Sequence, residues 1–165
     1  MNQMTVVEMK IKGLMIDPVS NMPIIVLKNQ TGETVLPIWV GIFEANAIAL
    51  EMEKIKTPRP MTHDLIMNIL GALEAEVKRV VVHDLRENTF FASIVVDFRG
   101  SDLVIDSRPS DAIALALRCN TPIFVAGHVI DKSHDEGICG ELYDEAKLKS
   151  WLENITPQDF DKHPL

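Results

Sequence analysis

The sequence predicts an α+β fold built on a duplicated β-meander-plus-helix unit, with a mainly antiparallel or mixed sheet, packed helices and a C-terminal amphipathic helix. Three observations lead there. Polar and apolar residues alternate in two separate runs of strands, each run gives way to a stretch of helical period, and Ala47-Ile48-Ala49-Leu50 recurs as Ala112-Ile113-Ala114-Leu115. Thr57-Pro58 recurs as Thr121-Pro122 at almost the same offset. Four common helix formers prove little alone. Both copies, however, follow strands, enter an apolar helix through a polar first turn and leave through Thr-Pro, which reads as an internal duplication.

Val7, Met9 and Ile11 alternate with Glu8, Lys10 and Lys12, the period of a strand with one face buried. Asp17-Pro18 and Ser20-Asn21 form a turn, Pro23 to Lys28 a second strand, Asn29 to Glu33 a glycine-containing turn and Thr34 to Val40 a third strand. From Phe43 to Lys54 the period is helical. Phe43, Ala47 and Leu50 share one stripe and Ile48, Met52 and Ile55 another, so wide burial is expected. Thr57-Pro58-Arg59-Pro60 forces an extended segment, after which Thr62 is placed to cap a helix whose inner face is Leu65, Ile66, Ile69, Leu70 and Leu73. Val77 to Leu85, Thr89 to Phe98 and Leu103 to Asp106 form a second meander, and Pro109 suits the first position of a helix reaching from Ser110 to Cys119. Residues 126 to 141 read as polar and irregular. Leu148, Trp151, Leu152 and Ile155 then recur at helical spacing and stop before Pro157. No low-complexity linker intervenes, so residues 1–165 are expected to be one domain, with repeat units over about 4–60 and 76–125 and an extension over about 126–165.

A hydrophobic content of 47% suffices for a core without disulfides or structural metal. The mean hydropathy of +0.10 is high for a chain of this size, so part of the surface is expected to be covered in a homo-oligomer. The N-terminus lacks the basic and apolar regions of an export signal, and no stretch has the length of a membrane span. Cys119 and Cys139 have no CxxC spacing and suit a buried thiol and a loop thiol better than a disulfide. A cytoplasmic location with no membrane association is the expectation. Lys and Arg number 16 against 24 Asp and Glu, a net charge of −8, and residues 121–165 hold only 4 basic against 9 acidic side chains. That balance disfavours nucleic-acid binding by phosphate neutralisation alone, although a metal-assisted contact stays open.

Three polar segments open helices. In Asp106-Ser107-Arg108-Pro109-Ser110-Asp111, Arg108 suits a phosphate and the two carboxylates suit Mg²⁺ or Mn²⁺, while Ser107, Ser110 and Asp111 are equally suited to capping. In Arg59-Pro60-Met61-Thr62-His63-Asp64, His63 is the best placed of five histidines for proton transfer, although neighbouring helix residues diverge and Asp64 need not orient it. In Trp39 to Asn46, Glu44 and Asn46 correspond to Pro109 and Asp111 under the offset of the Ala-Ile-Ala-Leu repeat. Pseudo-symmetry would bring the junctions together, with Glu44, Asn46, Asp106 and Asp111 on one cleft. Mutual repulsion would then raise the pKa of at least one carboxylate. His128, His134 and Cys139 with Asp135 and Glu136 carry zinc-type donors but match no compact zinc motif, and P-loop, GxGxxG, GxSxG and HExxH patterns are absent.

Gly13 to Pro18, Leu36 to Gly41, Glu44-Ala45, Arg59 to Leu65 and Asp106 to Leu115, as they stand here, resemble the bifunctional nuclease domain family. The resemblance runs in register over about residues 4 to 126, and Trp151-Leu152-Glu153-Asn154 is similar to the tail of short bacterial members. It implies DNase and RNase activity, attributed chiefly to plant members. By position, the polar motif residues are Asp17, Glu44, Arg59, Thr62, His63, Asp64, Asp106, Ser107, Arg108, Ser110 and Asp111. Two classes of function follow. As a metal-dependent phosphodiesterase, the chain would hold Mg²⁺ or Mn²⁺ with Glu44, Asp106 and Asp111. His63, Asp106, Arg108 and Asp111 would serve catalysis, and Arg59, Thr62, Ser107 and Ser110 would serve phosphate binding. As a regulatory module, the same junctions would bind a small anion or a partner protein without turnover.

Overall fold

In a computed structural model the chain is described over residues 5–17 and 20–135. Three strands, β1 (Val6–Ile16), β2 (Pro23–Asn29) and β3 (Val35–Trp39), lead into helix α1 (Ile42–Met52). Helix α2 (Thr62–Ala72) follows, then β4 (Ala75–Arg86), β5 (Thr89–Phe98), β6 (Ser101–Ser107) and helix α3 (Pro109–Cys119). A short strand β7 (Ile123–Ala126) and helix α4 (Gly127–Asp135) complete the described chain. The strands form one seven-stranded sheet in the order β3-β2-β1-β7-β4-β5-β6. Every neighbouring pair is antiparallel except β4 with β7, which run parallel.

Local chemistry accounts for the hairpins. Only two residues join β4 to β5, Glu87 and Asn88, and two join β5 to β6, Arg99 and Gly100; all four have positive φ, the backbone that matches strand twist in a two-residue hairpin. Gly100, at φ +78, occupies the position where a side chain would be strained.

Each half of the described chain therefore runs β-β-β-α, and the two 11-residue helices α1 and α3 pack against each other. The correspondence is one of element order. The exits differ, since Thr57-Pro58 lies in the loop beyond Met52 whereas Thr121-Pro122 leads straight into β7. The main core joins both halves: Met9, Leu27, Leu36 and Ile48 from the first are buried with Val80, Val82, Ile113 and Val125. Helix α3 contacts α1, α2, β4 and β5, which makes it the hub on which α1 and α2 are positioned.

Four expectations are corrected. The strand β7 lies in the middle of the sheet, although its four residues carry too little pattern to be seen from sequence. The stretch read as irregular from residue 126 begins with helix α4, whose buried Val129, Ile130 and Ser133 give it an inner stripe. The N-cap of α2 is Met61, with Thr62 its first helical residue. The face of α2 is also rotated from the one expected. His63 is buried and Met67 and Leu70 pack on Val77, Val96 and Leu115, whereas Leu65, Ile66, Ile69 and Leu73 are exposed. The stripe at 148–155 and Cys139 lie outside the described residues. Cys119 is a free, half-buried thiol, and burial pushes its pKa up.

Candidate functional site

The first turns of α1, α2 and α3 meet at one place, and each carries an acid at its third residue: Glu44, Asp64 and Asp111. An acid there normally reaches back to the open N–H groups of its own helix start. Asp64 does so, accepting from the Met61 N–H at 2.8 Å. Asp111 does not. Its Oδ2 accepts from Arg108 Nε at 2.7 Å and its Oδ1 lies 3.1 Å from His63 Nε2. Arg108 Nη1 in turn donates to Glu44 Oε1 at 2.9 Å. Glu44, Arg108, Asp111 and His63 thus form one chain of charge-assisted contacts drawn from all three helices.

Backbone detail makes the contact with Glu44 feasible. Gly41 is the N-cap of α1, and a Cβ there would sit 2.2 Å from Glu44 Oε2, so glycine leaves the space into which the carboxylate folds. By helix position Glu44 matches Asp111, not the Pro109 that the offset of the Ala-Ile-Ala-Leu pattern sets against it. The convergence itself agrees with the expected meeting of the two strand-to-helix junctions.

His63 is only 8% exposed. With a carboxylate beside Nε2, that nitrogen carries the proton and donates it to Asp111. Nδ1 makes no hydrogen bond to a described residue, yet no described side-chain nitrogen or oxygen is sealed off without a partner, so Nδ1 keeps contact with solvent. Arg108 is 65% exposed at its side chain, with Nη2 free of protein partners among the described residues. Burial is the largest single influence on Asp111 and would raise its pKa. The hydrogen bonds from Arg108 and His63 outweigh it, and the carboxyl is held below its ordinary value. The shift at Asp111 is therefore opposite to the one expected from carboxylate repulsion, because Arg108 lies between Asp111 and Glu44. Arg108 is itself held more firmly protonated, by Asp111 first and then by Glu44.

The other expected residues are placed differently. Asp106 is exposed on β6 and shares none of the contacts of this cluster. Arg59 is exposed in the loop before α2, where its carbonyl accepts from Thr57 Oγ1 at 2.8 Å; Thr62 is exposed as well. Ser107 Oγ donates to the Arg108 carbonyl at 3.0 Å, and Ser110 is buried in the first turn of α3. Asp17 is buried and accepts from Ser20 Oγ and Trp39 Nε1, which fixes the β1–β2 turn. Among the described residues no group of three or more His, Cys, Asp or Glu side chains is arranged to hold a metal ion.

Arg118 is the residue that sequence reasoning missed. Its side chain is 5% exposed and donates from Nε to Asp64 Oδ1 at 2.7 Å, from Nη1 to the Ala114 carbonyl at 3.0 Å and from Nη2 to the Ala47 carbonyl at 3.2 Å. One guanidinium thus ties α2 to α1 and α3 beside the cluster. The Met61 N–H first, and Arg118 next, hold the Asp64 carboxyl below its ordinary pKa. No local pattern announces this role, since Asp64 lies 54 residues away in sequence.

Comparison with known proteins identifies the family. An uncharacterized protein of Mycobacterium tuberculosis is 38% identical over 162 residues, spanning 93% of this chain and 97% of that protein. Bifunctional nuclease 2 of Arabidopsis thaliana is 33% identical over 61% of this chain, and bifunctional nuclease 2 of Oryza sativa subsp. japonica is 30% identical over 62%. The matches span about a third of these plant proteins, 32% and 33% of their length. The model of the bifunctional nuclease domain matches residues 25–136, a span that includes Glu44, His63, Arg108 and Asp111, and the chain belongs to the bifunctional nuclease domain family.

Proposed function

We propose that this chain is a nuclease that hydrolyses phosphodiester bonds where the first turns of α1, α2 and α3 meet. The observation that carries this reading is the contact chain Glu44–Arg108–Asp111–His63, which places an exposed guanidinium beside a carboxylate-oriented imidazole. Arg108 binds a phosphate oxygen through its outer nitrogen and balances charge developing at phosphorus. Asp111 takes the Nε2 proton of His63 as its hydrogen bond and fixes the ring, so that Nδ1 removes a proton from the attacking water as the P–O bond to the leaving oxygen breaks. Glu44 and Asp111, both paired with Arg108, are the carboxylates that would hold Mg²⁺ or Mn²⁺ together with phosphate oxygens and water, and such an ion would supply positive charge at the phosphate. Asp106 is left out of this set by its position.

Cleavage of a labelled single-stranded oligonucleotide by purified protein, with Mg²⁺ or Mn²⁺, tests this beside Asp111→Ala. The native chain is expected to cleave and the variant to lose activity. Equal cleavage by both preparations would overturn the site, whether the activity came from elsewhere in the chain or from a contaminant. One observation favours a second class of function: Arg108 is already neutralised by two carboxylates, which leaves little positive charge for a phosphodiester and suits a module that recognises a partner protein without turnover. A native chain that cleaves no oligonucleotide with either metal would decide for it.

A further inference from the structure

We propose that β6 is the strand through which two copies of this chain pair, antiparallel about a two-fold axis at Val104, so that the sheet continues from one copy into the other. This does not depend on the nuclease reading. On one side β6 pairs with β5 over its whole length, Phe98 with Ser101 through Ala92 with Ser107, without a bulge. On the other it has no strand among the described residues, so a regular row of N–H and C=O groups faces outward. Such a row is satisfied in full by another extended segment.

The side chains point the same way. Leu103, Val104 and Ile105 are all exposed, Val104 at 70%, and because successive strand residues point to opposite faces the edge is apolar on both. Monomeric proteins defend an edge with proline, charged side chains, bulges or short strands. Here β6 has no proline, lysine or bulge over Ser101–Ser107, and its two charges, Asp102 and Asp106, flank the apolar Leu103-Val104-Ile105 without interrupting it. The opposite edge contrasts with it: β3 holds Pro37, which offers no N–H, and Val35, Leu36, Pro37 and Ile38 are buried. Joining β6 to β3 of a second copy would propagate without closing, and β3 is unsuited to it. Joining β6 to itself closes after two copies.

Antiparallel pairing about Val104 sets Val104 against its own copy and Leu103 against Ile105, apolar against apolar. Asp102 then opposes Asp106. That like-charge contact is blunted because Lys78 Nζ lies 2.7 Å from Asp102 Oδ1. Ser107 runs directly into Arg108, so the two copies of the candidate site would lie on the same face of one continuous sheet, on opposite sides of the axis.

Light scattering on the full chain at tens of micromolar tests the proposal. The native protein is expected at twice the chain mass of 18.5 kDa, Val104→Lys at the single-chain mass with unchanged circular dichroism, and Leu65→Lys, on the exposed face of α2, still at the dimer mass. Because Val104→Lys could fail for reasons of folding, Val104→Cys in a chain with Cys119 and Cys139 changed to Ser provides a second arm. Oxidation is expected to cross-link it nearly completely as a dimer. A native chain that scatters as a monomer overturns the proposal, as does a dimer that Val104→Lys leaves intact or a Val104→Cys chain that does not cross-link. Hydrogen exchange showing protected β6 amides in a monomeric species would also overturn it, because residues of the same chain would then cover the edge.

Discussion

Gly41 and Glu44 show how one missing methyl can shape a charged cluster. The N-cap conformation at Gly41, φ −70 and ψ 159, is open to any residue, so Gly41→Ala is expected to cost no more than about 1 kcal/mol in stability. The added Cβ would nevertheless displace the Glu44 carboxylate, a flexible group, and break its bond to Arg108. Gly41→Ala and Glu44→Gln should therefore lower activity by similar factors and show no further loss when combined. Additive losses would mean that the glycine acts elsewhere. Asp64 gives a pH signature of its own. Its folded pKa is depressed, so its contribution to stability is fully present above the unfolded value of about 3.9 and is lost as pH falls through the lower folded value. In urea titrations Asp64→Asn should be less stable than the native chain at pH 6, and the gap should narrow below about pH 4.

At the scale of elements, Arg118 is the clasp that holds α2 against α1 and α3. Replacing it with Ala strands Asp64 and frees two carbonyl oxygens, a loss of about 3 kcal/mol, at the low end for a buried pair because Asp64 is partly exposed. Arg118→Lys should recover only part of this, since an ammonium cannot span three acceptors on three helices. In both variants hydrogen exchange should accelerate in α2 before it does in the central strands. Uniform acceleration would show that Arg118 supports the whole fold and not one helix. The meanders and α3 were legible in the sequence because alternation and turn residues agree locally: β5 runs over the same Thr89–Phe98 that its pattern predicts. Strand β7 and helix α4 were not, since four residues carry little periodicity and the inner stripe of α4 includes a serine. The inner face of α2 was misread because its two apolar stripes compete. Packing resolves them in favour of the stripe that carries His63, whose polarity Asp111 satisfies. Arg108, Asp111, His63 and Glu44 could be singled out by type and position. Their pairing could not, because it depends on how three helices cross.

For the molecule as a whole, an acidic balance and a nuclease site are compatible only if positive charge is supplied locally. Arg108 is offset by Glu44 and Asp111 in the folded chain, so a divalent ion would have to supply the rest. Millimolar Mn²⁺ is expected to raise the melting temperature of the native protein, and a Glu44→Gln/Asp111→Asn double variant to lose most of that shift. Equal shifts in both proteins would place metal binding elsewhere. No helix among the described residues is long and apolar enough to cross a membrane. Whether one site is assembled from three helices is read from kcat/KM for oligonucleotide cleavage in Glu44→Gln, His63→Gln, Arg108→Gln and Asp111→Asn, with Asp84→Asn as a control whose carboxylate pairs with Arg86. A loss of roughly 100-fold or more is expected for His63→Gln and Asp111→Asn, with clear losses for the other two cluster variants and native activity in the control. Native activity in either His63→Gln or Asp111→Asn, or a control that falls with them, would rule out a shared site.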